Sequence, residues 1–279
     1  TLDDARITYK ELDAIAVTNG PGLSGSLLIG VNVAKALGLA WNKKVFGVNH
    51  LEGHIYSAWL ENLFEKSKID FPVTCLIASG GHTDLIVMNG HLDYKVVART
   101  RDDAAGEAFD KVARVLGLGF PGGPEIQKAA GHEPSSMKPF PRPKIKDSLD
   151  FSFSGLKTAV VRRAESDGFY PMGTTSPTPY QVQEYAAGFQ DAVVDCLMDR
   201  AIEVSNIYNC NAIILGGGVA ANSHLRKKLT ETSRIPVIIP KISFCTDNGA
   251  MIGAAAYYRF NDVLTSNWDM DAVSNLPLT

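Results

Sequence analysis

Four apolar runs, DAIAVTNG (13–20), KVFGVN (44–49), VTCLIASGG (73–81) and NAIILGGG (211–218), end on glycine or asparagine, and stretches of helical period follow. A buried strand that stops at a glycine turn and feeds a helix is the repeating unit of α/β layers. The runs pair with helical segments SLLIGVNVAKALGLAW (26–41), for which Ser24 is the expected cap, and HLEGHIYSAWLENLF (50–64). VTCLIASGG, DLIVMNG (84–90) and DYKVVAR (93–99) follow one another across short turns, which predicts an antiparallel meander.

From Asp102 to about Asn206 the pattern becomes helical, with AAGEAFDKVARVLGL (104–118) and a long segment at 179–206, interrupted by a proline- and lysine-rich loop at 133–147. Strand, helix and strand then return in NAIILGGG, ANSHLRKKLTE (221–231) and PVIIP (236–240), before a last helix, DNGAMIGAAAYYRF (247–260). The expected organisation is a first lobe over 1–72, a second over 73–262 carrying a helical insertion at about 102–206, and a tail over 263–279. The tail lacks a period and is expected to drape over the surface or fray. The opening TLDDARITYKELDAIAVTNG is a polar lead into a strand with no start, so an incomplete amino-terminal domain is expected.

Composition narrows the function classes. Lys plus Arg number 27 against 30 Asp plus Glu, so no overall basic field attracts nucleic acid, and such binding must use local patches. The candidates are Lys138, Arg142, Lys144 and Lys146, then Arg162 with Arg163, then Arg226, Lys227 and Lys228; a solvated surface explains each equally well. Cys75, Cys196, Cys210 and Cys245 are far apart and form no CxxC pair, and they read as reduced, buried thiols of a cytosolic protein. No apolar run is expected to reach the roughly 20 residues of a membrane helix.

In VNHLEGH (48–54), a helix would place His50 and His54 at i and i+4 on one face, a spacing that two ligands of one metal accept. A zinc peptidase of HExxH type carries its glutamate directly after the first histidine. Here Glu52 stands at i+2, about 200° round the helix, and is a weak candidate for a general base. Two buried histidines satisfied by carbonyls are the plain alternative. A third ligand is expected from another lobe, and Asp247, beside a possible N-cap at Thr246, is the candidate. Two His and one carboxylate with open positions suit iron or zinc.

Two glycine turns placed after strands suggest a nucleotide site. SGGHT (79–83) lets backbone N–H groups approach an anion, and GGGVAANSHLRKKL (216–229) admits a flat base and leaves Asn222 for a hydroxyl. Neither matches a P-loop or a clean GxGxxG.

Together VNHLEGH, ASGGHTDLI, DDAAGEAFDKVARVLGLGFPGGP, FSFSGLKTAV, LGGGVAANSHLR and TDNGAMIGAA resemble the tRNA adenosine threonylcarbamoyltransferase family, over about residues 10–260. The resemblance implies the actin-like ATPase fold of the sugar kinases and chaperone ATPases, with two lobes around a nucleotide cleft. It implies transfer of a threonylcarbamoyl group from threonylcarbamoyl-AMP to N6 of the adenosine beside the anticodon, in tRNAs reading codons that start with A. It implies one divalent metal ion, iron or zinc, on His50, His54 and Asp247, and a bound threonylcarbamoyl-AMP or ATP-type nucleotide touching Ile77, Ala78, Ser79, Gly80, Gly81, Asp110, Gly123 and Asn222. Implied partners are tRNA, an accessory paralogue, a small ATPase and a separate adenylate-synthesising enzyme, in the cytoplasm and without a membrane.

Two departures stand out. Gln127 occupies a place where many members of the resembled family carry Asp, which puts one implied ribose contact in question. The family's opening strand pair with its ETSCD-like turn is absent, consistent with a fragment or a degenerate paralogue. The competing readings are a non-catalytic scaffold paralogue, a metalloendopeptidase, and a sugar kinase of the same fold.

Overall fold

The computed structural model describes residues 2–60, 69–131, 134–171, 175–260 and 268–278. In chain order its helices and strands are α1 (Leu2–Ala5), β1 (Ala14–Gly20), α2 (Ser24–Trp41), β2 (Lys44–Asn49), α3 (His50–Tyr56), β3 (Val73–Ala78), β4 (Thr83–Gly90), β5 (Asp93–Arg99), α4 (Ala105–Val115), α5 (Gly122–Ala130), α6 (Ser154–Ser166), α7 (Pro179–Ile207), β6 (Ala212–Gly216), α8 (Ser223–Thr232), β7 (Val237–Ile238), α9 (Ile242–Cys245) and α10 (Gly249–Phe260). The expected end of the helix begun at His50, beyond residue 60, lies outside the described residues, as does the 262/263 boundary.

Two compact units form, one from 1–66 with 247–279 and one from 67–246. This differs from a second lobe running over 73–262, because α10 packs on α3, β1 and β2 and so belongs with the first unit. Its buried face is Met251, Ile252, Ala254, Ala255 and Ala256, mostly side chains small enough for close packing.

In the first unit β1 and β2 pair in parallel, and α2 lays Leu27, Val31, Ala34 and Gly38 against them. A Cβ on Gly38 would lie 2.2 Å from Val45 Cγ2, so glycine sets how closely α2 approaches β2. Contrary to expectation, α2 is, by length and composition, long and apolar enough to cross a membrane. Its buried row lies on the sheet, while Leu28, Ile29, Val33 and Leu39 are exposed. Ser24 is not the cap: Leu23 holds that position without a side-chain bond, and Ser24 Oγ lies 2.6 Å from Ser274 Oγ.

The described tail, 268–278, is fastened to this unit and does not fray. Asn19 accepts from the Val273 amide at 2.8 Å, Asn49 Nδ2 donates to Pro277 O at 3.0 Å, and Met270 is buried beside Val31, Ala34 and Val45.

The second unit holds a five-stranded sheet in the order β5-β4-β3-β6-β7. The meander β3–β4–β5 is antiparallel as expected, while β6 joins β3 in parallel and β7 joins β6. The helical stretch 102–206 shares one core with this sheet: Leu76, Leu85 and Leu215 pack with Phe109, Leu156, Phe189 and Leu197. The central strand β3 is buried throughout, and all four cysteines are buried thiols outside any disulfide, as expected.

Candidate metal and nucleotide sites

The stretch HLEGHIY forms a seven-residue helix whose N-cap is Asn49, its Oδ1 accepting from the Leu51 amide at 2.9 Å. His50 and His54 then lie one turn apart, with ring centroids separated by 4.7 Å. Asp247 Oδ1 is 3.3 Å from Nε2 of each. One nitrogen or oxygen from each of the three residues lies within 4.8 Å of the others. Asp247 comes from the same unit as the histidines, not from another lobe, because the start of α10 sits against α3.

His54 is fully buried, yet among the described residues neither of its ring nitrogens has a hydrogen-bond partner. Asp247 is near enough for an ion pair but is not aligned as an acceptor. Burying a polar group without a partner is costly, so the arrangement suits a ligand of a cation better than a core histidine. The imidazoles, His50 first, hold the Asp247 carboxyl well below the usual carboxylate range, so it is an anion at any working pH. At the start of α10, Asn248 Oδ1 accepts from the Met251 amide at 2.9 Å, so a capping bond comes from the residue after Asp247.

Glu52 is no general base. It is fully buried, and Arg259 Nε donates to its Oε2 at 2.9 Å while Nη2 donates to Oε1 at 2.8 Å. The helix turns it away from the histidine face as the i+2 position requires, and the guanidinium occupies both oxygens. Sequence reasoning missed Arg259, since nothing in its spacing marks it as the partner of a residue 207 positions earlier. It also missed Gly53, where a Cβ would lie 2.7 Å from Ile252 Cδ1, so glycine permits the close crossing of α3 and α10.

The second unit contains a cavity of about 420 Å³, mostly apolar, walled by the glycine turns and by α5. Gly80, Asp110, Gly123 and Asn222 line it, and so do Phe109, Gln127, Val219 and Ile242. Ile77 and Ala78 do not: both are buried in β3, paired with Asp84 and Thr83 of β4. Ser79 and Gly81 do not line it either. The Ser79 amide donates to His82 O, and Ser79 Oγ accepts from the amides of Gly81 and His82. The turn thus spends two of the three amides expected for an anion, and among the described residues Gly80 N–H is the one left without a partner.

Asp110 Oδ1 accepts from Gly122 N at 2.7 Å, fixing the start of α5. Gly217, at φ +86°, brings the second glycine turn against β3; a Cβ there would meet Ala78 O at 2.4 Å. Asn222 is buried, with Oδ1 capping α8 at the Leu225 amide and Nδ2 donating to Gln190 Oε1 at 2.8 Å, so only part of its amide remains for a hydroxyl. Gln127 Oε1 accepts from Ser223 N at 2.7 Å, holding α5 to the start of α8.

Three of the nine basic candidates are held in ion pairs by acids of α7. Glu184, Asp191, Asp195 and Asp199 line one face of α7 at helical spacing, and the loop at 134–146 lies along it. Arg142 pairs with Asp191 and Asp195, Lys144 with Asp199, and Lys228 with Asp191 and Asp195. Arg163 covers the Phe140 ring and donates to Lys138 O, and Arg226 donates to Ala220 O, Pro240 O and Cys245 Sγ. Of the candidates, Lys138, Lys146, Arg162 and Lys227 keep unpaired charges among the described residues.

Residues 1–254 match the model of the family described as tRNA N6-adenosine threonylcarbamoyltransferase. The chain belongs to that family. A member from Thermomicrobium roseum is 48% identical over 292 residues, covering 99% of this chain and 80% of the relative. One from Dehalococcoides mccartyi is 49% identical over 278 residues, with 100% and 81% covered. Both bear the family's name. Among solved structures, HypF from T. kodakarensis superposes with a TM-score of 0.67 at 13% identity, over 93% of this chain and 42% of HypF. A full-length HypF in the phosphate- and nucleotide-bound form gives 0.60 at 16% identity, over 85% and 46%. These likenesses concern the fold, which is of the actin-like ATPase class.

Proposed function

We propose that this chain is a tRNA-modifying acyltransferase that moves a threonylcarbamoyl group from threonylcarbamoyl-AMP to N6 of the adenosine 3′ of the anticodon. The observation that carries the reading is His54: a fully buried imidazole with no hydrogen-bond partner at either nitrogen among the described residues, facing Asp247 and His50. That donor set fits one divalent metal ion, iron or zinc, and His50, His54 and Asp247 would hold it. When bound, such an ion supplies Lewis acidity toward an acyl oxygen.

The rest falls to the chain's own groups. The Gly80 amide, Asp110 and Asn222 orient the adenylate in the cavity of the second unit, and Gly123 and Gly218, with open space where a Cβ would stand, leave its walls open to a flat base. In the transfer, the N6 amine attacks the carbamoyl carbonyl carbon, a C–N bond forms, and the C–O bond to the adenylate phosphate breaks. AMP leaves with the electron pair and the amine proton passes to solvent. The adenosine amine is a weak nucleophile, so positioning supplies much of the rate. Backbone N–H donors aimed at the departing phosphate stabilise its charge, and Gly80 N–H is the one available for this.

The partners in this reading are tRNA, an accessory paralogue, a small ATPase and an enzyme that makes the adenylate, and its compartment is the cytoplasm. A metalloendopeptidase is disfavoured because the only acid in the histidine stretch is locked onto Arg259. The test is to supply threonylcarbamoyl-AMP and unmodified tRNA and to look for N6-threonylcarbamoyladenosine by mass spectrometry. Its formation is expected, and cleavage of a glycoprotein by the same preparation, abolished in His50→Ala, would instead support the peptidase.

A further inference from the structure

Asn222 is held at two points. Its Oδ1 accepts the Leu225 amide at 3.0 Å, and its Nδ2 donates to Gln190 Oε1 at 2.8 Å. One hydrogen bond lets a carboxamide pivot about it, whereas two at opposite ends fix both its plane and its flip. With the oxygen on the helix start and one N–H on Gln190, what remains of the Asn222 nitrogen is a second N–H. Gln190 itself is on α7, 5% exposed, and does not line the cavity that Asn222 lines.

We infer that Gln190 is a positioning residue for the nucleotide: through Asn222 it presents a fixed N–H donor to a hydrogen-bond acceptor of the bound molecule, a ribose oxygen or a ring nitrogen. This rests on the nucleotide reading of the cavity. Gln127 acts on the adjoining residue, accepting from Ser223 N, so the corner at 222–223 is gripped from both α5 and α7. Gln127 also lines the cavity, so its effect on binding is direct; Gln190 works only through Asn222.

The experiment is equilibrium binding of ADP to the full chain, for wild type, Gln190→Met, Gln190→Glu, Asn222→Ala and the double variant Asn222→Ala/Gln190→Met. Methionine keeps the length of the side chain and removes the acceptor, while glutamate keeps the acceptor. The expected result is a Kd raised on the order of five- to tenfold in Gln190→Met, the effect of losing about one neutral hydrogen bond. Gln190→Glu binds within about twofold of wild type, and the double variant binds no more weakly than Asn222→Ala, because the two residues act in series. A purely structural glutamine would not give rescue by glutamate together with that non-additivity. Unchanged binding in Gln190→Met with weakened binding in Asn222→Ala overturns the inference, as does a double variant showing the product of the two single losses. Unchanged binding in Asn222→Ala overturns the nucleotide reading of the cavity first, and the role of Gln190 with it.

Discussion

Glu52 and Arg259 form a two-pronged ion pair, Nε to Oε2 at 2.9 Å and Nη2 to Oε1 at 2.8 Å, with the carboxylate fully buried and the guanidinium at the edge of solvent. Arg259→Ala is expected to destabilise by about 3 kcal/mol or more, because the buried Glu52 carboxylate then loses the guanidinium that holds both of its oxygens. Glu52→Leu with Arg259→Met should recover much of that loss, since apolar replacement of both partners spares the desolvation. Urea denaturation of the three forms checks this, and an equally unstable double variant would show that the pair is not the cause.

Two carboxylates should give the stability curve opposite slopes. Burial pushes Asp84 up from its usual 3.8 to about 6, with Arg99 pulling the other way. The folded chain therefore holds that proton more tightly than the unfolded one, and its contribution, complete below 3.8, is lost as pH rises through about 6. Asp191 is held well below the usual range, by His224 first and by Lys228 and Arg142 as well. Its contribution is present above the ordinary carboxylate pKa and disappears as acid protonates the folded form. Asp84→Asn is thus expected to exceed wild type in stability by up to about 3 kcal/mol near neutral pH. Denaturation of both at about pH 4 should show that advantage shrinking; an advantage independent of pH would contradict the sign.

Glu184 Oε2 accepts from the amides of Ser136 and Met137 and from both serine hydroxyls, Ser135 and Ser136. Glu184→Ala should release this part of the loop without touching the sheet. Hydrogen bonds to a charged acceptor are worth about 1.5–3 kcal/mol, so exchange of those two amides is expected to speed up roughly tenfold or more. Amide exchange by NMR reads this directly, and unchanged rates would mean that the Arg142 contacts alone hold the loop.

Gly217 is a backbone test of the cavity wall. With φ at +86° and Ala78 O at 2.4 Å from the position of a Cβ, Gly217→Ala meets both strain and a clash with main chain that has no room to yield. The expected cost is about 2 kcal/mol or more, with weakened ADP binding. An alanine variant with wild-type stability would show the turn to be softer than its geometry indicates.

Legibility from sequence followed the physics of each feature. The strands from Ala14 to Ile214 were visible because buried parallel strands read as continuous apolar runs, and the meander because its turns are short. The placing of His50 and His54 on one helix face was readable from spacing. Asp247 was a candidate from its place at the start of the last helix, but its unit needed the structure: the packing of α10 on α3 comes from Gly53 and a face of small residues with no period that names its partner. Arg259 and Gln190 were silent because a hydrogen bond spanning 207 or 32 residues leaves no mark in local sequence. The ion pairs of Arg142 and Lys144 were hidden for a related reason: charge is visible in sequence, but the acids of α7 that neutralise these two stand some 50 residues away.

Transfer to tRNA is expected to depend on the site formed by His50, His54 and Asp247. The direct measurement is the yield of N6-threonylcarbamoyladenosine from unmodified tRNA, with threonylcarbamoyl-AMP, divalent metal and the accessory subunits supplied, for wild type and Asp247→Ala side by side. Modified nucleoside from the wild type and a loss of about a hundredfold or more in the variant is the expected result, on the scale of removing a metal ligand. Equal yields from the two, or none from the wild type under those conditions, would contradict it.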